Sequence, residues 1–590
     1  MMKKLSAILL ALVMVLSMTA TAFATTVNVD ESAILAGHTF TAYQVFKGDW
    51  SAEDNTVGVL SNVAEGDGVN FPAFLADLKA QTAAPFMKEV TPEGEGEATE
   101  VNIFADCATA EAVAKVLSDN NNEALAKAVA EIAYANIIKD EGTALVDDTN
   151  DLAHGYYLIV DSGNVAAGSA YNKALLQVVG NDITIALKTD APSVEKKVYE
   201  NTKYNTNADY GQGFNDVADY NMGDAVPFHL IGKIPNMTEY DKYMYVFHDT
   251  YSAGLDAPQN VKVYLSADKQ LDTTADVEVT SSFTFAGDTS ARTFSLTCID
   301  LKAVVAEKDA DAQYVIVAYT AVLNQNAEVG LPGNPNEVYL EYANNPNWDS
   351  EGWKDGVDND NDGETDEENE KPEDYDKDQP TGNTPVDKVI VFTYKLDTTK
   401  IDGATADAET PTKLAGAEFV LYRAIDNKYA VVHQCNDECG DECDKADKII
   451  GWVESQDDAS PLKSDASGLF KVIGLDDGTY YLEETKAPTG YNLLKNPITV
   501  VISATTSNGQ NWVPDFVPSL ALTDLAVTAD GEPGTGDVET GTASITVENN
   551  KGATLPETGG MGTTILYIVG GLLVLGAAVL LITKKRMENN

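Results

Sequence analysis

The stretch Tyr480-Tyr481-Leu482-Glu483-Glu484-Thr485-Lys486-Ala487-Pro488-Thr489-Gly490-Tyr491 decides the fold. Its first half alternates. Tyr480, Leu482 and Glu484 fall on one face of a strand, and the residues between them on the other, because successive strand side chains point to opposite sides. Its second half ends the strand: Pro488 has no N–H to give to a ladder, and Gly490 suits a turn. An apolar strand face that closes on a carboxyl group asks for a partner, since glutamate is rarely buried without one.

Working outward, Gly416 to Tyr422 and Lys388 to Leu396 are strand-like, and Ala543 to Glu548 is the last strand of this unit. Upstream, Tyr243 to Phe247 alternates in the same way, and so do His38 to Phe46 and Gly155 to Val160. Many short strands separated by turn residues predict a mainly β chain built of tandem immunoglobulin-like sandwiches. Helical spacing appears only early, over Ala108 to Leu117 and Asn122 to Ile138, so some helix is expected in the first domain.

The 590 residues carry 93 acidic against 39 basic side chains, a formal net charge of −54. That excludes nucleic acid as a partner, which needs a basic footprint. Lys3 and Lys4, an apolar run to about Met18 and Ala22-Phe23-Ala24 form a secretory signal with an A-x-A cleavage site. Thr563 to Thr583 is long enough to span a bilayer, and Lys584-Lys585-Arg586 behind it place the end of the chain in the cytoplasm. Five cysteines do not make a disulfide scaffold, so any covalent reinforcement must be of another kind. The expected organisation is a signal peptide at 1–24, domains at 25–188, 189–347 and 384–552, an acidic linker at 348–383 between the last two, and a tail at 553–590.

The tail, Leu555-Pro556-Glu557-Thr558-Gly559 with its apolar span and basic end, resembles the cell-wall sorting signal of Gram-positive surface proteins. That resemblance implies cleavage by sortase between Thr558 and Gly559, and transfer of Thr558 to an amine. The Tyr480–Tyr491 stretch resembles the E-box of collagen-adhesin B-type pilin domains. Residues 192–198, 247–250 and 342–346 resemble the middle domain of sortase-assembled backbone pilins.

Domains of that family form autocatalytic Lys–Asn isopeptide bonds. The chemistry needs an amine whose pKa is depressed by burial, an asparagine amide as electrophile, and a buried carboxyl that shuttles protons while ammonia leaves. Strand parity selects the residues. Val194, Lys196 and Val198 share a face, as do Tyr245, Phe247 and Asp249, and Val338, Leu340, Tyr342 and Asn344. The expected middle-domain set is Lys196, Asn344 and Asp249. Phe392, Tyr394, Leu396, Thr398 and Lys400 align, as do Ile545, Val547 and Asn549, so the last domain's set is Lys400, Asn549 and Glu484. Lys395 and Asn550 fall on the outward faces.

The family also implies an acceptor lysine between the first and second domains. Lys188 stands there, without the Tyr-Pro pair that precedes it in the family motif. Asp358, Asp360 and Asp362, followed by Gly363, resemble the first half of a calcium loop, but Asn369 replaces the closing glutamate. Either a calcium site or an acidic linker fits this pattern, and no other cofactor is expected. Cys435, Cys439 and Cys443 recur every fourth residue, as an inserted loop with one disulfide or as a metal site. Cys107 and Cys298 read as isolated and buried.

The sequence thus points to a secreted, peptidoglycan-anchored surface pilin without enzymatic turnover. Its partners would be sortase, neighbouring subunits, peptidoglycan and a host or matrix ligand. The alternative is a monomeric wall-anchored adhesin, or a minor or tip pilin.

Overall fold

The structure, a computed structural model, describes residues 25–587 except 31–32, 34–36, 52–58, 91–97, 146–148, 164, 181, 186–189, 202–209, 212, 351–370, 373–374, 435–445, 508–520 and 553–560. It is mostly β, in three successive domains followed by one apolar helix.

In the first domain, Phe40–Ser51 pairs with Val59–Glu65 on one side and Gly155–Asp161 on the other. Three helices cover this sheet through a shared apolar core. Ala110–Asp119 and Glu123–Ala135 are the two expected from periodicity. Each starts at a side-chain cap, Thr109 accepting from Ala112 N and Asn122 from Leu125 N, which satisfies a backbone donor that the helix start leaves open. The third, Phe71–Ala80, went unseen in the sequence although Asn70 caps it and Pro72 lies in its first turn. A separate three-stranded sheet places Thr25–Val29 between Thr149–Leu152 and Ile183–Ile185.

The middle domain is a two-sheet sandwich. One sheet is ordered Phe214–Asn215, Val194–Tyr199, Ala225–Lys233, Tyr314–Val322, Gln259–Ser266, Val277–Glu278. The facing sheet runs Val217–Asp219, Asp387–Phe392, Asn334–Ala343, Tyr245–Tyr251, Thr293–Cys298, Thr284–Asp288, with Thr381–Asn383 also on the Asn334–Ala343 strand. This moves a boundary. Thr381–Asn383 and Asp387–Phe392 were expected to lie in or beside the last domain, yet they pair with Asn334–Ala343 and complete the middle one. Val389, Ile390, Val391 and Phe392 are all buried, because this strand lies between neighbours and under the opposite sheet.

The chain passes from Phe392 through Thr393 directly into Tyr394–Asp402, the first strand of the last domain. That strand lies between Leu469–Leu475 and, in parallel, Thr542–Asn549. The facing sheet centres on Glu418–Arg423, Gly478–Lys486 and Ile498–Thr506. The junction of these two domains is close-packed. A Cβ on Gly330 would meet the Gly541 nitrogen at 2.2 Å, so only glycine fits there. Arg423 donates to Asp224 at 2.6 Å, and Trp452 to the Met222 carbonyl at 3.2 Å. Glu200, Asp219 and Asp477 gather at the same junction, all buried, with the Tyr394 hydroxyl donating to Asp219 at 2.8 Å.

Candidate cross-linking sites and wall anchor

In the middle domain, alternation aims Lys196 inward from the Val194–Tyr199 strand and Asp249 inward from the facing sheet. Both are fully buried, and Lys196 Nζ donates to Asp249 Oδ2. The same amine donates to Oδ1 of Asn336 at 2.5 Å and to the Glu337 carbonyl at 3.2 Å. Asn336 is itself fully buried, and its Nδ2 donates to the Tyr319 hydroxyl at 2.8 Å. Tyr319 in turn donates to Asp249 at 3.1 Å.

The asparagine beside Lys196 is therefore Asn336 and not Asn344, a correction to the parity argument. The two residues share a face of one strand, so alternation cannot separate them. They lie eight positions apart, roughly 26 Å along an extended chain. Register decides between them: Asp249 stands opposite Val338, and Tyr251 opposite Asn336. Asn344 lies beyond the strand's far end, next to Gly382, where its carbonyl accepts from Tyr171 N at 2.7 Å. It serves the contact with the first domain, together with Lys173 on the Pro346 carbonyl at 2.9 Å and Ala174 N on Asn347 at 2.6 Å.

Burial sets the electrostatics of the Lys196–Asp249 pair. Desolvation pulls the amine pKa below its ordinary value, against the pull of Asp249. Desolvation also pushes the carboxyl pKa up, against Lys196. Both shifts favour the neutral forms, which are a free amine lone pair and a carboxylic acid able to donate.

In the last domain the structure brings Lys400, Glu484 and Asn549 together. Tyr394–Asp402 and Thr542–Asn549 run parallel, with Lys400 opposite Val547 and Asp402 opposite Asn549. Glu484 comes from the facing sheet. It accepts from Asn549 Nδ2 at 3.0 Å and from Leu494 N at 2.8 Å, and its other oxygen lies 3.9 Å from Lys400 Nζ. Asn549 Nδ2 also donates to the Asn492 carbonyl at 2.6 Å. Lys400 and Asn549 are fully buried, and the ammonium lies 5.7 Å from the Phe419 ring centre. Desolvation lowers the Lys400 pKa to about 8, against the opposing charges of Glu484 and Glu548. Lys400 Nζ, Glu484 Oε1 and Asn549 Oδ1 are buried without hydrogen-bond partners among the described residues. Three orphaned polar atoms on three touching side chains mark a costly arrangement unless it is there for chemistry.

Lys188, Leu555 to Gly559, Asp358, Asp360, Asp362, Cys435, Cys439 and Cys443 lie outside the described residues. Cys107 and Cys298 are free and buried. The terminal helix, Met561–Met587, contains an apolar span at Ile565–Lys585 with mean hydropathy 2.8, long enough to cross a membrane.

Comparison with known proteins follows the same division. Residues 399–512 match the SpaA family, described as a prealbumin-like fold domain. Residues 547–589 match the LPXTG cell wall anchor motif. With its apolar helix, this tail makes the chain a cell-wall-anchored surface protein. Over 316 residues the chain is 24% identical to the trypsin-resistant surface T6 protein of Streptococcus pyogenes serotype M6, covering 46% of this chain and 48% of that one. It thus spans about half the length of the curated relative it matches. Among solved structures, the T6 backbone pilin of S. pyogenes is similar with a TM-score of 0.45 at 17% identity, over 90% of this chain and 98% of that chain. The full-length major pilin SpaD of Corynebacterium diphtheriae gives 0.41 at 15% identity, over the same shares.

Proposed function

We propose that the chain is the structural subunit of a covalently polymerised surface pilus, reinforced by two self-formed amide bonds, Lys196–Asn336 and Lys400–Asn549. The observation that carries this reading is the pair of buried Lys–Asn–carboxyl sites, one in each of two successive domains, above a wall-anchor tail.

The reaction balances without a cofactor. The neutral lysine amine attacks Cγ of the asparagine. The carboxyl, Asp249 or Glu484, hydrogen-bonds the amide and carries a proton from the attacking nitrogen to the leaving one. The C–N bond to Nδ2 breaks, ammonia departs, and an amide remains. Burial supplies the driving geometry, because a solvated lysine would stay protonated at neutral pH.

The tail is then cut by sortase between Thr558 and Gly559, and Thr558 passes either to peptidoglycan or to Lys188 of the next subunit. Lys188 stands between two fixed points, Ile185, paired with Val29, and Asp190, whose carboxylate holds Lys233 at 3.0 Å. Joining the tail of one copy to the shoulder of the next is a heterologous contact that does not close on itself and so grows a fibre. The test is a surface extract boiled in SDS. A ladder of high-mass species supports the pilus, and a single band assigns the chain to the monomeric adhesins.

A further inference from the structure

The two cross-linking sites differ in how their leaving group can escape. In the last domain the departing nitrogen, Asn549 Nδ2, already donates to the carbonyl of Asn492, an exposed residue. In the middle domain the departing nitrogen, Asn336 Nδ2, donates to Tyr319, which is 3% exposed, and Lys196, Asn336 and Asp249 are at most 1% exposed. Ammonia formed there starts inside a closed, apolar sandwich.

One side of that site faces Tyr251. Tyr251 stands directly opposite Asn336 across the ladder and two positions from Asp249, on the same inward face. It lies within electrostatic reach of both Asp249 and Tyr319. Tyr251 also lines a solvent-open cleft of about 530 Å³ bounded by Leu255, Asp256, Gln259, Thr289 and Arg292. Tyr251 N donates to the Arg292 carbonyl at 3.0 Å, which fixes the hairpin tip against it. Arg292 holds a left-handed backbone, φ 56°, unfavourable for a side chain of its size.

We infer that this cleft is the exit for the ammonia released when Lys196 joins Asn336, with Tyr251 as the gate between reaction centre and solvent. The inference rests on the cross-linking reading above. In the step itself the Nζ–Cγ bond forms, the Cγ–Nδ2 bond breaks, and one proton moves from Nζ to Nδ2. The only species that must leave is NH3, which takes up a proton from water once it reaches the cleft beside the Asp256 carboxylate.

The mature chain, residues 25–558, made in unfolded form and refolded by dilution, tests it. Peptide mapping over time follows both bonds in the same molecule, so Lys400–Asn549 serves as an internal clock for folding. Thr289→Trp and Gln259→Trp place bulk at the exposed mouth of the cleft. They are expected to slow Lys196–Asn336 formation about fivefold or more relative to the clock, as a blocked gate limits product release. Tyr251→Ala, which opens the gate, is expected not to slow it. An unchanged ratio of the two bonds in both tryptophan variants overturns the exit. Absence of either bond in the wild-type chain instead removes the cross-linking reading on which it stands.

Discussion

Replacing Asn336 by alanine separates register from parity as guides to the middle-domain bond. If Lys196 is joined to Asn336, the bond closes a loop of 140 residues. A cross-link of that span removes about 5 kcal/mol of unfolded-state entropy on the chain-entropy account. For a domain of this size a change of 1 kcal/mol moves the melting temperature by about 2–4 °C, so the loss amounts to about 10–20 °C. The amine and Asp249, left buried without the amide, add to the same sign. Asn344→Ala should do neither, because Asn344 touches the first domain and not Lys196. The assay is intact mass with calorimetry. Wild type should fall short of its sequence mass by two ammonias, about 34 Da, and Asn336→Ala by one, about 17 Da. A full two-ammonia deficit in Asn336→Ala, or a one-ammonia deficit in Asn344→Ala, would refute the register argument.

Asp249→Ala should leave the middle domain unbonded while the last domain still loses its ammonia, and Glu484→Ala should do the reverse; peptide mapping distinguishes them. In Asn549→Ala the Lys400 amine stays free with a folded pKa of about 8, below its unfolded value. Between about pH 8 and 10.4 the unfolded state then binds the extra proton, so stability should rise with pH across that window by about 3 kcal/mol and be flat below it. Denaturant titrations of Asn549→Ala against Lys400→Met check this, and a pH-independent difference would count against a desolvated amine. Lys188→Ala should abolish the SDS-resistant ladder while leaving both intramolecular bonds in place. A persisting ladder would move the acceptor elsewhere.

The residues of the last domain's site were legible because three local patterns converge. Lys400 continues an apolar face, Asn549 ends one, and Glu484 closes the face of the Tyr480–Tyr491 stretch; parallel pairing of the first and last strands then forces the first two together. The middle domain gave up Lys196 and Asp249 on the same grounds and hid Asn336. A period of two assigns a face but no height, and height is set by which residue stands opposite which, a property of two segments rather than one. The misplaced boundary has a similar cause. Asp387–Phe392 and Tyr394–Asp402 form an unbroken β-rich run, and nothing local reveals that the chain changes sheets at Thr393. The Phe71–Ala80 helix was missed because its apolar residues are less one-sided than those of the equally short Ala110–Asp119, although its cap and proline were there to be read.

If both proposed bonds form, the position of Asn336 also changes what they do under tension. In the last domain Lys400 and Asn549 lie on the first strand and on the last strand of the domain. A pull along the chain enters near Lys400, crosses the bond and leaves after Asn549, so everything between is out of the load path. In the middle domain the Asn334–Ala343 strand is not the last, since Thr381–Asn383 and Asp387–Phe392 follow it and fill the same sheet. Force that crosses from Lys196 to Asn336 must still travel through residues 337–392 before it reaches the last domain. That segment is kept short by the antiparallel ladder of Asn334–Val338 on Asp387–Val391, whose ends are pulled in opposite directions along the strands. Several hydrogen bonds then bear the load together in shear instead of opening one at a time. With both proposed bonds in place, one domain would be covalently inextensible and its neighbour would depend on the pairing of Asp387–Phe392 with Asn334–Ala343 and Val217–Asp219, a difference that follows from one strand's place in the sheet.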